Sequence, residues 1–345
     1  MHSLQNKETI NNDSNIKYNN KHYKSSSDVI NNNIITKRDI HLLKRVYCPS
    51  IPIIPRLKSP PIISYPSKIK SSQNIKSKKS YGIIALKIED KNLYEIINEF
   101  FKNIKKSLYI HNGLKCNNIN NIKHFIHIKE NLKFLLISKK FSYAYYDFIH
   151  SKFNIYQNGK ISKLLNEMSQ NEFNSILTKS YKDLWATLHK KPYIIEYEKK
   201  FNEVRKKIKA NDLLLNKKHY IYPEWEFPKG AKNKEDIDDI YTAIREFKEE
   251  TNLKDEDFIV YNNINPIIEN FIGSDDNFYT YYYYIALIKP SVKIYKKTTS
   301  ESDNIGFYSY ETAYKNFNRP IQNERRRILE CIFNDIINWI NKNYK

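Results

Sequence analysis

Phe227-Pro-Lys-Gly230, followed after a short gap by Ala243-Ile-Arg-Glu-Phe-Lys-Glu-Glu-Thr-Asn-Leu253, is the stretch that decides how this chain is read. The apolar spacing of its second part predicts a helix over 239–251. On that helix Glu246, Glu249 and Glu250 stand at i, i+3 and i+4, so their carboxylates project from one face, where like charges repel by roughly 0.2–0.5 kcal/mol per pair. Asp238 and Asp239 add negative charge at the helix start, where the dipole favours it. Three clustered carboxylates form an oxygen-only donor set suited to Mg²⁺ or Mn²⁺. The plainer reading is a solvated acidic face. Against it, the chain carries 58 Lys and Arg and only 38 Asp and Glu, so an acidic cluster stands out.

The segment resembles the box of the Nudix family, Gly-x5-Glu-x7-Arg-Glu-U-x-Glu-Glu-x-Gly-U with U apolar. Arg245-Glu246-Phe247-x-Glu249-Glu250-x-Asn252-Leu253 matches its second half and Gly230 its opening glycine. The resemblance implies a loop–helix–loop that binds divalent metal and hydrolyses phosphoanhydrides. It makes Glu246, Glu249 and Glu250 metal-binding and catalytic carboxylates, gives Arg245 the task of orienting a Glu, and adds the Gly230 carbonyl as a further metal ligand. Two departures stand out. Fourteen residues separate Gly230 from Arg245 where the pattern has thirteen, leaving the first acidic position open between Glu235 and Asp236. The closing glycine is Asn252, the next most tolerant residue for a left-handed helix cap.

Outside the box, Tyr222-Pro-Glu-Trp-Glu-Phe-Pro-Lys-Gly230 and the helix-rich block from Phe141 to Ala210 are similar to the viral Nudix mRNA-decapping enzymes of poxviruses, African swine fever virus and giant viruses. In them a helical domain is inserted after the first strands. That pattern usually has Arg-Gly-Lys where this chain has His150-Ser151-Lys152. Downstream, Glu301-Ser-Asp-Asn-Ile-Gly-Phe-Tyr308 resembles a segment in which a Glu precedes an apolar strand, so Glu301 is expected as a further metal ligand or as the base that activates water; a surface loop Glu beside Asp303 is the alternative. The resemblance implies a capped-RNA partner, release of 7-methylguanosine diphosphate, and a cytoplasmic location, that of the host if the chain is viral. A Nudix hydrolase of small substrates, such as diphosphoinositol polyphosphates or dinucleoside polyphosphates, is the competing reading, and an idle RNA-binding Nudix module a third.

The implied fold is α+β: a Nudix α/β/α sandwich with a mixed sheet, an inserted helical domain and a disordered basic N-terminal tail. The expected boundaries are a tail over 1–79, a first Nudix part over 80–140 with an extra insertion near 88–130, the helical domain over 141–210, and the remaining Nudix part over 211–345 with the box at 230–253. Strands are expected at 81–87, 132–138, 258–261, 267–272, 279–288 and 306–309. Helices are expected at 92–110, within 141–210, and at 325–344, with an Asn-rich loop over 112–122.

The tail holds 15 Lys and Arg against 4 Asp and Glu, and half of the 12 prolines, which block helix and central strand. It reads as a basic linker, as a salt-sensitive arm for nucleic acid, or as both. Net charge is +20. Lys199, Arg205, Lys206 and Lys209 form a basic stripe for RNA, and Lys229 beside Gly230 is expected to touch phosphate. A positively charged methylguanine is held well between aromatic faces; Tyr145 and Phe148, from the cluster between Phe141 and Phe148, and Tyr279 are the candidates. Three scattered cysteines (Cys48, Cys116, Cys331) exclude a cysteine zinc ribbon and a disulfide scaffold. No apolar run reaches membrane-spanning length, no signal peptide is expected, and oligomeric state is left open.

Overall fold

The computed structural model describes residues 77–104, 122–216, 219–294 and 302–344. The tail before residue 77, the stretch 105–121, which holds the end of the helix expected over 92–110 and nearly all of the Asn-rich loop expected over 112–122, and Glu301 lie outside the described residues. In chain order the elements are β1 (Lys78–Ile88), α1 (Lys91–Asn103), α2 (Ile122–Asn131), β2 (Leu132–Lys139), α3 (Tyr143–Ile149), α4 (Asn158–Glu167), α5 (Gln170–Thr178), α6 (Tyr181–Leu188), α7 (Ile195–Lys209), β3 (Trp225–Glu226), β4 (Lys229–Gly230), α8 (Asp239–Thr251), β5 (Phe258–Val260), β6 (Ile267–Ile272), β7 (Phe278–Ile288), β8 (Ser302–Ser309), α9 (Tyr310–Asn316) and α10 (Asn323–Asn343).

β1 organises the mixed sheet. It runs parallel to β7 over ten residue pairs, from Lys78 with Tyr279 to Lys87 with Ile288. At its far end, Leu86–Ile88 pair antiparallel with Leu132–Phe134 of β2. β1 and β2 then part, and Trp225–Gly230 fills the fork. As β3 this segment pairs with Ile137 and Ser138 of β2; as β4 it pairs with Tyr81 and Gly82 of β1. Gly82 is required there, because a Cβ would stand 2.3 Å from the Pro228 carbonyl oxygen. β8 covers the other edge of β2, and β5 and β6 share the outer edge of β7.

Eight consecutive residues of β1, Tyr81–Ile88, are buried, as in a strand covered on both faces. Ile84, Leu86 and Ile88 join one core with α1 (Leu93, Ile97, Phe101) and α10 (Ile328, Ile332, Ile336). Tyr81, Ile83 and Ala85 join a second core with Ala243 and Phe247 of α8. The result is helix, mixed sheet, helix, an α+β sandwich. Helices α3–α7 gather around a third core of their own, built from Tyr145, Phe148, Leu164, Leu184, Trp185 and Phe201.

Local signals explain the helix boundaries. Ser142, Ser169 and Ser180 cap α3, α5 and α6, Ser169 in a reciprocal capping box with Glu172. α3 ends in a Schellman turn, with Lys152 N–H on the Asp147 carbonyl and Ser151 N–H on that of Phe148. Ser151 there has φ 52°, so it is left-handed at the position where the related pattern carries glycine. The expected helix over 92–110 stops at Asn103, where Ile104 turns extended. β1 starts at Lys78, so it takes in the last two residues of the expected tail. α2, α9 and the two-residue strands β3 and β4 were not legible from periodicity, each being short or lacking alternation.

Candidate active site

The site is assembled where the fork of β1 and β2 meets α8. Asp238 caps α8 by accepting from the Tyr241 N–H at 2.7 Å. Asn252 closes it in the left-handed conformation, φ 60°, supplying the geometry that glycine has in the family pattern.

Arg245 is the hub of the exposed half. Its Nε and one Nη donate to the two carboxylate oxygens of Asp236, both at 2.9 Å, a bidentate fork. The same terminal nitrogen donates to the Ala231 carbonyl at 3.0 Å. Its other Nη lies 2.9 Å from Glu246 and 3.1 Å from Glu249. The Arg245 hydrogen bonds hold the Asp236 carboxyl well below the ordinary carboxylate range, and Asp236 in turn raises the guanidinium. Of the two residues left open for the first acidic position, Asp236 is buried against Arg245 and Glu235 is exposed. Between Gly230 and α8 the chain turns over Asn233–Asp236, where Asn233 N–H donates to the Asp236 carboxylate at 2.8 Å.

The three glutamates share a helix face but have different surroundings. Glu249 is 60% exposed along its side chain and pairs with Arg245. Glu246 lies against Gly230, where a Cβ would stand 2.0 Å from its carboxylate oxygen, so only glycine lets this carboxylate sit on the strand. Glu250 points inward and accepts from the Lys229 N–H at 2.8 Å. Burial first, and then the charge of Glu226, push its carboxyl up to about 7.

Behind Glu250 lies a buried charge cluster that spacing did not reveal. Glu226 is fully buried between two ammonium groups, Lys139 at 3.0 Å and Lys229 at 2.9 Å. The Tyr143 hydroxyl donates to Glu226 at 2.9 Å and accepts from Lys229 at 3.2 Å. Burial opposes the charge of Glu226, yet Lys139, Lys229 and Arg325 hold its carboxyl well below the usual range. Lys229, whose burial alone would lower it, is raised well above its ordinary value by Glu226. The available signal was Glu226 itself, a carboxylate between Trp225 and Phe227 in an apolar stretch. A charge buried there needs partners.

Several expected site residues turn out to be placed elsewhere. Lys229 does not reach out to phosphate; its ammonium faces inward, 4.5 Å from the Tyr281 ring centre. Tyr145 and Phe148 offer no stacking face, being 2% and 1% exposed in the core of the helical block. The exposed rings of that cluster are Tyr143 and Tyr146. Tyr279 is stacked on Phe271 at 5.3 Å, with Lys78 near its ring. Arg205 is engaged within the helical block, donating to the Lys179 and Leu177 carbonyls at the end of α5. Lys199, Lys206 and Lys209 are exposed on α7.

The residues fit a hard divalent cation in donor chemistry: all are oxygen ligands, and Gly230 leaves room for Glu246. Among the described residues no group of three or more His, Cys, Asp or Glu side chains is gathered to hold a metal ion. The cation between Glu246 and Glu249 is the Arg245 guanidinium. Among the described residues no helix is long and apolar enough to cross a membrane.

Comparison with known proteins agrees with this architecture. Residues 205–330 match the NUDIX domain model. A protein of Acanthamoeba polyphaga mimivirus whose name carries mRNA decapping provisionally is 28% identical over 251 residues, 64% of this chain and 69% of that one. The mRNA-decapping protein g5R of African swine fever virus is 29% identical over 227 residues, 61% of this chain and 89% of that one. The Caenorhabditis elegans Ap4A hydrolase structure aligns over 74% of this chain and 94% of its own, with 11% identity and a TM-score of 0.34, a likeness too loose to build on. Residues 205–330 thus match the Nudix domain, in a chain similar over about three fifths of its length to viral proteins named for mRNA decapping.

Proposed function

We propose that this chain is an mRNA-decapping hydrolase that cleaves the pyrophosphate of the 5′ cap, releasing 7-methylguanosine diphosphate and a 5′-monophosphate RNA, and that it acts in the cytoplasm, that of the host if the chain is viral. The observation that carries the reading is the Arg245 fork, which fixes Asp236, Glu246 and Glu249 at one rim while Glu250 lies behind them on the Lys229 amide. In this proposal Glu246, Glu249, Glu250, the Gly230 carbonyl and Glu301 hold Mg²⁺ or Mn²⁺. When bound, the metal neutralises phosphate charge and lowers the pKa of coordinated water.

The chain's own groups account for the rest. Arg245 prevents the rim carboxylates from splaying apart under mutual repulsion. Gly230 brings Glu246 against the strand. The Lys229 N–H fixes one oxygen of Glu250, leaving the other to face outward chemistry or Lys139, 4.0 Å away. Helices α3–α7 form an inserted unit in this reading, and the exposed Lys199, Lys206 and Lys209 of α7 provide a track for RNA backbone. Tyr146, an exposed aromatic near the start of that unit, replaces Tyr145 and Phe148 as a candidate for the methylguanine.

The deciding experiment incubates purified protein and Mn²⁺ with RNA labelled in the cap, beside free cap dinucleotide and a diphosphoinositol polyphosphate. Release of labelled methylguanosine diphosphate from capped RNA supports the reading. Preferential cleavage of either small substrate overturns it in favour of a small-molecule Nudix hydrolase.

A further inference from the structure

We propose that Tyr143 is a positioning residue for Glu250, acting from the helical block through Lys229; the proposal rests on the hydrolase reading above. Three short contacts form a closed triangle. The Tyr143 hydroxyl donates to Glu226 Oε2 at 2.9 Å, Lys229 Nζ donates to that hydroxyl at 3.2 Å, and Lys229 Nζ lies 2.9 Å from the same Glu226 oxygen. Lys229 also presents its backbone N–H to Glu250 Oε2 at 2.8 Å. One residue therefore carries both the ammonium that the triangle holds and the amide that holds Glu250.

The arrangement crosses from one part of the chain to the other. Tyr143 is the first residue of α3, and its neighbours Ala144, Tyr145 and Phe148 belong to the core of the helical block. Glu226 and Lys229 belong to β3 and β4 in the fork of the sheet. The Tyr143 N–H also donates to Glu224 at 3.3 Å, which ties the start of the helix to the same segment. Tyr143 is 39% exposed overall, while its hydroxyl points inward to the fully buried Glu226.

Phenylalanine at this position would keep the ring packing and remove only the hydroxyl. Glu226 would lose a donor and Lys229 an acceptor, inside a cluster where an incompletely satisfied polar group is costly. The ammonium would then re-aim, and β4, only two residues long and paired to β1 at Tyr81 and Gly82, would give way at the Lys229 amide. The hydroxyl is taken up by Glu226 and Lys229, so in this proposal the loss falls on the orientation of Glu250 and on turnover, while ground-state binding stays as it was.

The test uses the full chain and Tyr143→Phe, with Lys160→Ala as control; Lys160 pairs with Asp276 in an exposed contact from the same block. The first readout is hydrogen exchange at the Lys229 amide, followed by mass spectrometry in peptides spanning 226–231, without metal or substrate. Exchange at least tenfold faster in Tyr143→Phe and unchanged in Lys160→Ala is expected. Exchange at the wild-type rate in Tyr143→Phe overturns the link. The second readout is steady-state cleavage of capped RNA. A fall in kcat of about tenfold, with KM within twofold, is the expected split for an indirect residue. A raised KM at unchanged kcat overturns the proposal and makes Tyr143 a substrate contact. If the wild-type protein leaves capped RNA intact, the functional reading fails, and the exchange experiment still decides whether Tyr143 holds Lys229.

Discussion

Two groups of lysines in this chain share a charge and differ in almost everything else. Lys139 and Lys229 stand in the fork of the sheet, their ammonium groups closed over the buried Glu226. Lys199, Lys206 and Lys209 stand on α7 with solvent around them. In sequence Lys229 looks like an invitation to phosphate by its position beside Gly230, and the α7 set by its density. In the structure only the second set is available to a polyanion. The difference teaches that adjacency in a motif locates a residue, while burial decides what its charge can do. A buried ammonium is committed to its counter-ion because leaving that ion alone is expensive, whereas an exposed one has little to lose by changing partners.

The sharpest way to break this comparison is to neutralise the inner lysine. Lys229→Met should leave the Glu226 charge short of a partner and cost about 3–5 kcal/mol of stability, the range for breaking a buried pair. Urea unfolding monitored by circular dichroism checks it. A midpoint equal to wild type would mean that Lys139 alone satisfies Glu226 and that the inner cluster is less committed than its geometry indicates.

Removing charge from the rim should act on chemistry instead. Glu246→Gln is expected to lower kcat for capped RNA at least about a hundredfold, with the unfolding midpoint within error of wild type or above it. Glu246 is only partly buried, and one of its neighbours on the helix face, Glu249, repels it. Activity within tenfold of wild type would remove Glu246 from the proposed metal set. Loss of folding would place it with Glu226 as a structural charge.

How much of this was legible beforehand follows the same division. The Arg245–Glu246–Glu249–Glu250 cluster could be read because helical periodicity fixes side-chain direction over one turn. Strands β1, β2 and β7 could be read because strands buried on both faces leave long apolar runs. Asn252 could be read as a left-handed cap, and its φ of 60° agrees. Glu226, Lys139 and Tyr143 could not be joined from sequence. Their contact depends on the separation of β1 and β2 and on a helix that starts 83 residues before Glu226, and no local pattern encodes such a closure. Tyr145 and Phe148 were misread for a related reason. α3 is seven residues long, too short for its apolar face to be told from its open one without knowing that α4–α7 cover it.

The outer lysines offer a smaller and cleaner effect. Replacing Lys199, Lys206 and Lys209 together by Met should leave the unfolding midpoint near wild type and weaken RNA binding in a salt-dependent way. If all three contact a single strand, the slope of log affinity against log salt should fall by about 2, from roughly 0.7 per phosphate contact. Filter binding of uncapped RNA at several salt concentrations measures it. An unchanged slope would make the α7 face ordinary solvated surface and leave the RNA track to be sought elsewhere.

The smallest expected effect concerns Glu224, which separates the two kinds of charge by pH. Glu224 is buried at the joint between the sheet and the helical block, its carboxylate 3.6 Å from the fully buried Arg319 and accepting from the Tyr143 N–H. Burial is the main cause that pushes its carboxyl up to about 7, with Arg319 pulling the other way and Glu172 adding to the rise. The folded value lies above the unfolded one, so the native state holds the proton more tightly. The stability this contributes is complete below the unfolded carboxylate range, near pH 4, and is lost as pH rises through about 7. Glu224→Gln keeps the shape and removes the titration. The variant should therefore match wild type in melting temperature near pH 5 and exceed it by a few degrees at pH 8. Asp236 has the opposite sign, because its folded value is depressed by Arg245, so its contribution is lost only as pH falls below the ordinary aspartate range. It does not enter the window from pH 5 to 8. Melting curves that run parallel across that window in the two proteins would show that Arg319 keeps Glu224 ionised after all. The joint would then be held by an ion pair, and the inner charges of this fold would be as firmly paired at the helical block as they are at Glu226.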